Sequence, residues 1–229
     1  MFRGNDRVAI LKNIEEVTMK KVIVSAVACA SLLAAGAASA EGALSYNIGV
    51  TSDYVWRGVS QTDEKAAIQG GIDYSNGIFY AGTWASNVDF GTDANVELDL
   101  YAGIKPTAGN FTFDLGILAY TYPDESDLNM EEIKLGVSHP LGKGSVGVAA
   151  YINTDKDLED YYEISASYPL SDKFSISGAY GDYGPYSTWN FGGSYNLTSH
   201  LSVDLRYHDT DVDSPLTDER VALSLKAAF

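Results

Sequence analysis

The sequence predicts an all-β fold, an antiparallel β-barrel of about twelve strands that crosses a membrane, and three observations carry that expectation. Apolar and polar residues alternate with a period of two in segments of about ten residues, which is the length of a tilted transmembrane strand. The connections between segments take turns between short neutral stretches and acidic ones. Beyond residue 40, no run of about 20 apolar residues could make a membrane helix.

The segments follow one another along the chain. Leu44, Tyr46, Ile48 and Val50, continued by Tyr54 and Trp56, mark one face of residues 43–58. Ile68, Gly70, Ile72 and Tyr74 mark the second, and Ile78, Tyr80, Gly82 and Trp84 the third. Val96, Leu98, Leu100, Ala102 and Ile104 form the fourth face. Alternation continues over 111–121, 133–137, 146–152, 162–168, 174–180, 189–195, 201–207 and 221–229. Residues 43–65 could bend and the 122–132 stretch is ambiguous, so ten or fourteen strands are also compatible with the pattern.

Alternation by itself does not separate a membrane barrel from a water-soluble sandwich, whose polar faces look at solvent. The connections do. Those at 75–77, 106–110, 139–144, 169–173 and 196–200 contain one acidic residue, Asp172. Those at 61–66, 88–95, 122–129, 153–160, 181–188 and 208–219 contain 17. Short turns on the periplasmic side and longer loops outside are the asymmetry of an outer-membrane barrel. Tyr54, Trp56, Tyr120, Tyr122, Tyr151, Tyr180 and Tyr207 fall near the inferred outer strand ends, where an aromatic girdle is expected.

The ends extend this reading. Residues 19–40, with Lys20 and Lys21, an apolar run from Val22 and Ala38-Ser39-Ala40, have the form of a secretory signal peptide cleaved near Ala40. A lipidated Cys29 is the alternative, opposed by Ala26 where a larger aliphatic is usual. Residues 1–18 read as a non-native leader, with translation expected to start at Met19. Residues 41–229 then hold 10 basic and 28 acidic side chains, a net charge of −18, and no cysteine. That excludes disulfides, argues against nucleic acid and favours cations. The closing "RVALSLKAAF" alternates up to Phe229, as in the segment that outer-membrane assembly machinery reads, although Ala227 stands where an aromatic is frequent.

Residues 51–91 carry a family likeness. Ser52-Asp53-Tyr54, Arg57-Gly58, Ser60-Gln61-Thr62, Gln69-Gly70-Gly71 and the Tyr80, Gly82, Trp84, Ser86-Asn87 series resemble the proteobacterial Gcw_chp family of exported proteins. The remainder matches in length and alternation. The resemblance implies an envelope barrel, and since the family has no established activity it implies no catalytic or ligand residues.

Function has to be read from the expected lumen. By strand parity the three arginines beyond residue 40, Arg57, Arg206 and Arg220, point inward, with Asp53 and Asp204 in reach of them. Glu97, Asp99, Asp114 and Glu132 are expected on the opposite wall. Facing walls of opposite charge create the transverse field by which narrow pores orient polar solutes, and an acidic balance favours cations. These residues are therefore the expected lining of a small cation-preferring diffusion channel for polar solutes. The alternative is a closed structural or surface-interaction barrel, in which the same charges pair locally as buried charges must.

Enzyme chemistry is not expected. His139 and His200 fall in expected turns, and His208 meets no serine without a large register shift, so there is no nucleophile–base pair. Asp209, Asp211 and Asp213 imitate the start of a calcium loop, but Ser214 and Arg220 replace its glycine and its closing glutamate. No cofactor or metal site is expected. The partners expected are outer-membrane lipid and lipopolysaccharide, the assembly machinery, and small polar or cationic solutes, in the outer membrane of a Gram-negative bacterium.

Overall fold

The computed structural model describes residues 42–229; the expected leader and signal peptide, 1–40, lie outside the described residues. In chain order the strands are β1 (Ala43–Thr51), β2 (Val55–Trp56), β3 (Val59–Ser60), β4 (Ala67–Asn76), β5 (Phe79–Asn87) and β6 (Val96–Ile104). They continue with β7 (Thr107–Ala108), β8 (Phe111–Thr121), β9 (Met130–Leu141), β10 (Gly144–Asn153) and β11 (Tyr161–Pro169). The series closes with β12 (Phe174–Asp182), β13 (Ser187–Asn196), β14 (Leu201–Thr210) and β15 (Arg220–Ala228).

Twelve of these are staves of one barrel. Every stave pairs antiparallel with its neighbours, β6 pairs with β8 around the short β7, and β1 pairs with β15 from Asn47↔Ala228 to Thr51↔Ser224. The last pairing closes the ring, so no stave is left with an open edge, which is the condition for β-structure in lipid. The expected count of twelve is the one observed.

Register follows from the alternation. A shift of one residue would turn every apolar side chain inward, so the pattern pins each pair. Each of the twelve staves presents exposed large apolar side chains on its outer face, among them Leu44, Ile68, Leu100, Ile117, Ile164, Phe191 and Val221. A continuous apolar belt of this extent is rare on monomeric soluble proteins and fits a bilayer. Ile117, 63 % exposed near the middle of β8, gives a test. Ile117→Arg is expected to cost about 2–4 kcal/mol of stability in lipid vesicles, read by urea unfolding, because a guanidinium would sit at mid-depth in hydrocarbon.

The turn end of the barrel is tight. β4–β5 and β9–β10 are joined by two residues each, with Gly77 at φ 60° and Gly142 at φ 64°, where a hairpin of this length needs a residue without Cβ. The loop end differs from the expectation for its first connection. β1 stops at Thr51, not at residue 58, and β2 and β3 form a separate small hairpin.

Aromatic placement is corrected with it. Tyr180 and Tyr207 lie on the outer face, but Tyr54, Trp56, Tyr120 and Tyr122 are buried and Tyr151 packs against them from the inner side of β10. The core of this protein is therefore the loop-end half of the lumen. His139 also departs from the expected turn: it lies on β9, its ring 4.7 Å from that of Phe111.

The candidate functional site: a plugged, charged lumen

The β2–β3 hairpin folds into the barrel and brings Arg57 with it. Its two turn residues, Arg57 (φ 44°) and Gly58 (φ 84°), both occupy the left-handed region, which a two-residue turn of this hand demands. Glycine takes it freely, whereas an arginine there is strained and needs something to hold it. Glu132 on β9 supplies that hold. Arg57 Nη1 and Nη2 donate to Glu132 Oε1 and Oε2, both at 2.8 Å, and Tyr120 Oη adds a third donor to Oε2 at 2.9 Å. Both side chains are almost fully buried, at 5 % and 0 % exposure.

Aromatic rings surround the guanidinium. Its Cζ lies 4.1 Å from the ring centre of Tyr161, 4.2 Å from Trp56, 5.0 Å from Tyr151 and 5.2 Å from Tyr183. Each ring offers its negative face to the cation, and this attraction gains strength where water is excluded. Tyr161 reaches the cage by lying across Gly181 on the neighbouring stave, where any Cβ would collide with its ring. Tyr183 and Tyr186 enter from the β12–β13 loop and stack on each other, and burial raises the pKa of both hydroxyls.

The base of the hairpin has its own anchor. Asp53 Oδ1 accepts from Ser60 Oγ at 2.7 Å and Thr62 Oγ1 at 3.1 Å, while Arg220 Nη1 donates to Oδ2 at 3.2 Å. The Ser60 amide donates to the carbonyl of Leu216, and the Asp89 amide to that of Gln61, so loops on either side hold the hairpin in place. At its edge Lys65 Nζ meets Asp89 Oδ2 at 2.7 Å, and this hydrogen bond keeps the Asp89 carboxyl below its ordinary range.

The charged residues expected in the lumen group differently from two opposed walls. Arg57 crosses to Glu132, Arg220 takes Asp53, and Arg206 takes Asp204, at 3.2 Å, together with Asn190 and Ser177. Arg57 belongs to the hairpin and not to the first stave, which is how it spans the interior. Glu97 accepts from Tyr54 Oη at 3.3 Å, and Asp99, beside it on β6, is fully buried with the Glu97 carboxyl as its polar neighbour. Toward the turn end Asp114 meets Lys134 at 2.9 Å and Tyr80 at 2.7 Å, and the charged side chains there keep contact with solvent. The lumen is thus packed at its loop end and wet at its turn end.

Sequence reasoning missed Tyr151, Tyr161, Tyr183 and Lys134. A lumen-facing tyrosine two residues from a lumen-facing glutamate, as with Tyr161 and Glu163, was the available signal. Among the described residues no cluster of acidic, histidine or cysteine side chains is arranged to hold a metal ion. Phe229 lies on the outer surface at the turn end, hydrogen-bonded through its backbone to Tyr46 and stacked on the rings of Tyr46 and His200.

Fold and interior together define a closed twelve-stranded antiparallel β-barrel with an apolar outer belt and a polar, charged interior. Residues 34–229 match the family described as "Bacterial protein of unknown function (Gcw_chp)", and the chain belongs to that family. Among solved structures it is similar to KdgM porin in complex with disordered oligogalacturonate, with a TM-score of 0.58, 10% identity, and 82% of this chain and 99% of that one covered. A second KdgM porin structure gives a TM-score of 0.57 at 9% identity, covering 82% and 98%. Outer membrane phospholipase A from Escherichia coli gives 0.49 at 12%, covering 81% and 88%. No curated protein matches the sequence. At these identities the KdgM likeness establishes the fold and nothing further.

Proposed function

We propose that this protein is an outer-membrane diffusion channel for small polar solutes, that it prefers cations, and that the β2–β3 hairpin is its gate. One observation carries the reading: charged side chains occupy both the packed loop end and the solvent-contacting turn end of the lumen, and its carboxylates outnumber its basic groups. A barrel that needed only to be filled could be filled with apolar side chains, at no desolvation cost. The solute named for one KdgM structure, oligogalacturonate, is an anionic sugar. An acidic interior disfavours such an anion and points to neutral or cationic solutes. On this reading the acidic loops face the cell exterior, where divalent ions can bridge them to lipopolysaccharide, and Phe229 serves the assembly machinery at the periplasmic end.

The full burial of Arg57 and Glu132 favours a second reading, a permanently closed barrel with a structural or surface role. Single-channel recording separates the two. Protein expressed from the full chain and extracted from membranes is placed in a planar bilayer under a salt gradient. The channel reading expects discrete steps that reverse on the cation side, brief in the wild type and long-lived in Arg57→Ala. Silence from both proteins, each shown to be a folded barrel, leaves the closed reading in possession.

A further inference from the structure

The cage around Arg57 has the form of a binding site that the chain fills with its own side chain. We propose that Glu132, Tyr120, Tyr151, Tyr161 and Tyr183 form a receptor for small solutes carrying a guanidinium group, and that Arg57 occupies it as an internal competitor. The proposal rests on reading the lumen as a solute path and names the solute class.

Three features select this chemistry. Glu132 presents both oxygens at 2.8 Å to a planar two-pronged donor, a geometry that suits guanidinium and that a rounded ammonium cannot match. Rings at 4.1 to 5.2 Å cover the faces of that plane, and Tyr120 holds the carboxylate in position from behind. Of the groups touching the guanidinium, only Trp56 belongs to the hairpin. Glu132 and the tyrosines sit on β8–β11 and the β12–β13 loop, so they stay in place when the hairpin tip leaves.

The occupant is poised to leave. Arg57 is held at φ 44° at the tip of a hairpin with only two residues per strand, while the base is fastened separately through Asp53. The tip can therefore swing away without unfastening the hairpin. Beyond the cage, Glu163 lies two residues further along β11 toward the turn end, hydrogen-bonded by Tyr161 at 3.3 Å. It offers the next carboxylate to a cation moving inward.

Isothermal titration of the membrane-extracted protein with agmatine, with tetramethylammonium as a rounded cation for comparison, tests this. Saturable binding of agmatine to the wild type is expected, at least about tenfold tighter than tetramethylammonium. Arg57→Ala should tighten agmatine binding by a further factor of about ten or more, because an internal competitor lowers apparent affinity by the fraction of time the site stands empty. With the competitor removed, Arg57→Ala combined with Tyr161→Leu should bind agmatine more weakly than Arg57→Ala alone, and this pair of variants leaves Glu132 and its bond from Tyr120 intact. No heat from the wild type up to about 10 mM agmatine overturns the proposal. That holds even if Arg57→Ala binds, since a truncation cavity then accepts a guanidinium that the intact protein never admits. Binding without conductance leaves the site standing and removes the channel, and conductance without binding does the reverse.

Discussion

Glu132→Ala is expected to destabilise the barrel by about 3–5 kcal/mol, because it leaves the buried Arg57 guanidinium without its counter-charge. Glu132 accepts three hydrogen bonds at zero exposure, two from Arg57 and one from Tyr120, so the change leaves both donors unpaired in a water-poor core. Part of the loss is recovered if the hairpin withdraws and Arg57 reaches water, and the same event opens the loop end. Urea unfolding in vesicles reads the first effect, and protease cleavage near Arg57–Gly58 reads the second. Replacing both partners by leucine should cost much less than the sum of the single changes, since a buried ion pair and an apolar pair of similar volume are often close in stability. A double variant as unstable as that sum would show that the pair does not act as a unit.

Asp53→Ala should have an effect of the same size, about 3–5 kcal/mol, for a related reason. Its carboxylate gathers Ser60, Thr62 and Arg220, and the Arg220 side chain is only 8 % exposed. The two variants differ in what they release. Loss of Glu132 frees the tip of the hairpin, whereas loss of Asp53 frees its base, including the contact with the loop before β15. Amide exchange should therefore rise at 59–62 and 214–220 in Asp53→Ala, while in Glu132→Ala it should rise around 55–58. Equal exchange over the whole hairpin in both variants would mean that tip and base open together, which would remove the basis for independent movement of the tip.

Most of the barrel was legible in the sequence, and the particular residues show why. Ile68, Ile72 and Tyr74, or Val221, Leu223 and Leu225, alternate because lipid and lumen alternate, and nothing distant intervenes in that relation. Sorting charge by loop separated the acidic-loop end from the short-turn end before any strand was placed. Phe229, one residue beyond β15, reaches the outer surface by the same alternation.

The first connection was not legible. Tyr54 and Trp56 keep the period of two beyond Thr51, so alternation extended β1 and put both aromatics at an interface with lipid. Their burial depends on a turn at Arg57–Gly58 and on cage walls that stand roughly 75 to 125 residues further along the chain, in Glu132, Tyr151, Tyr161 and Tyr183. Local sequence determines a two-faced strand, because side-chain direction is a property of neighbouring residues. Which carboxylate a buried arginine finds is settled by barrel closure, which brings strands remote in sequence to a common interior. Through alternation and loop charge, then, the sequence by itself determined the barrel and left its strand number between ten and fourteen, with twelve expected. Only the tertiary structure decided that one loop folds inside, and that Arg57 spends its charge on Glu132, because that pairing requires the ring to be closed.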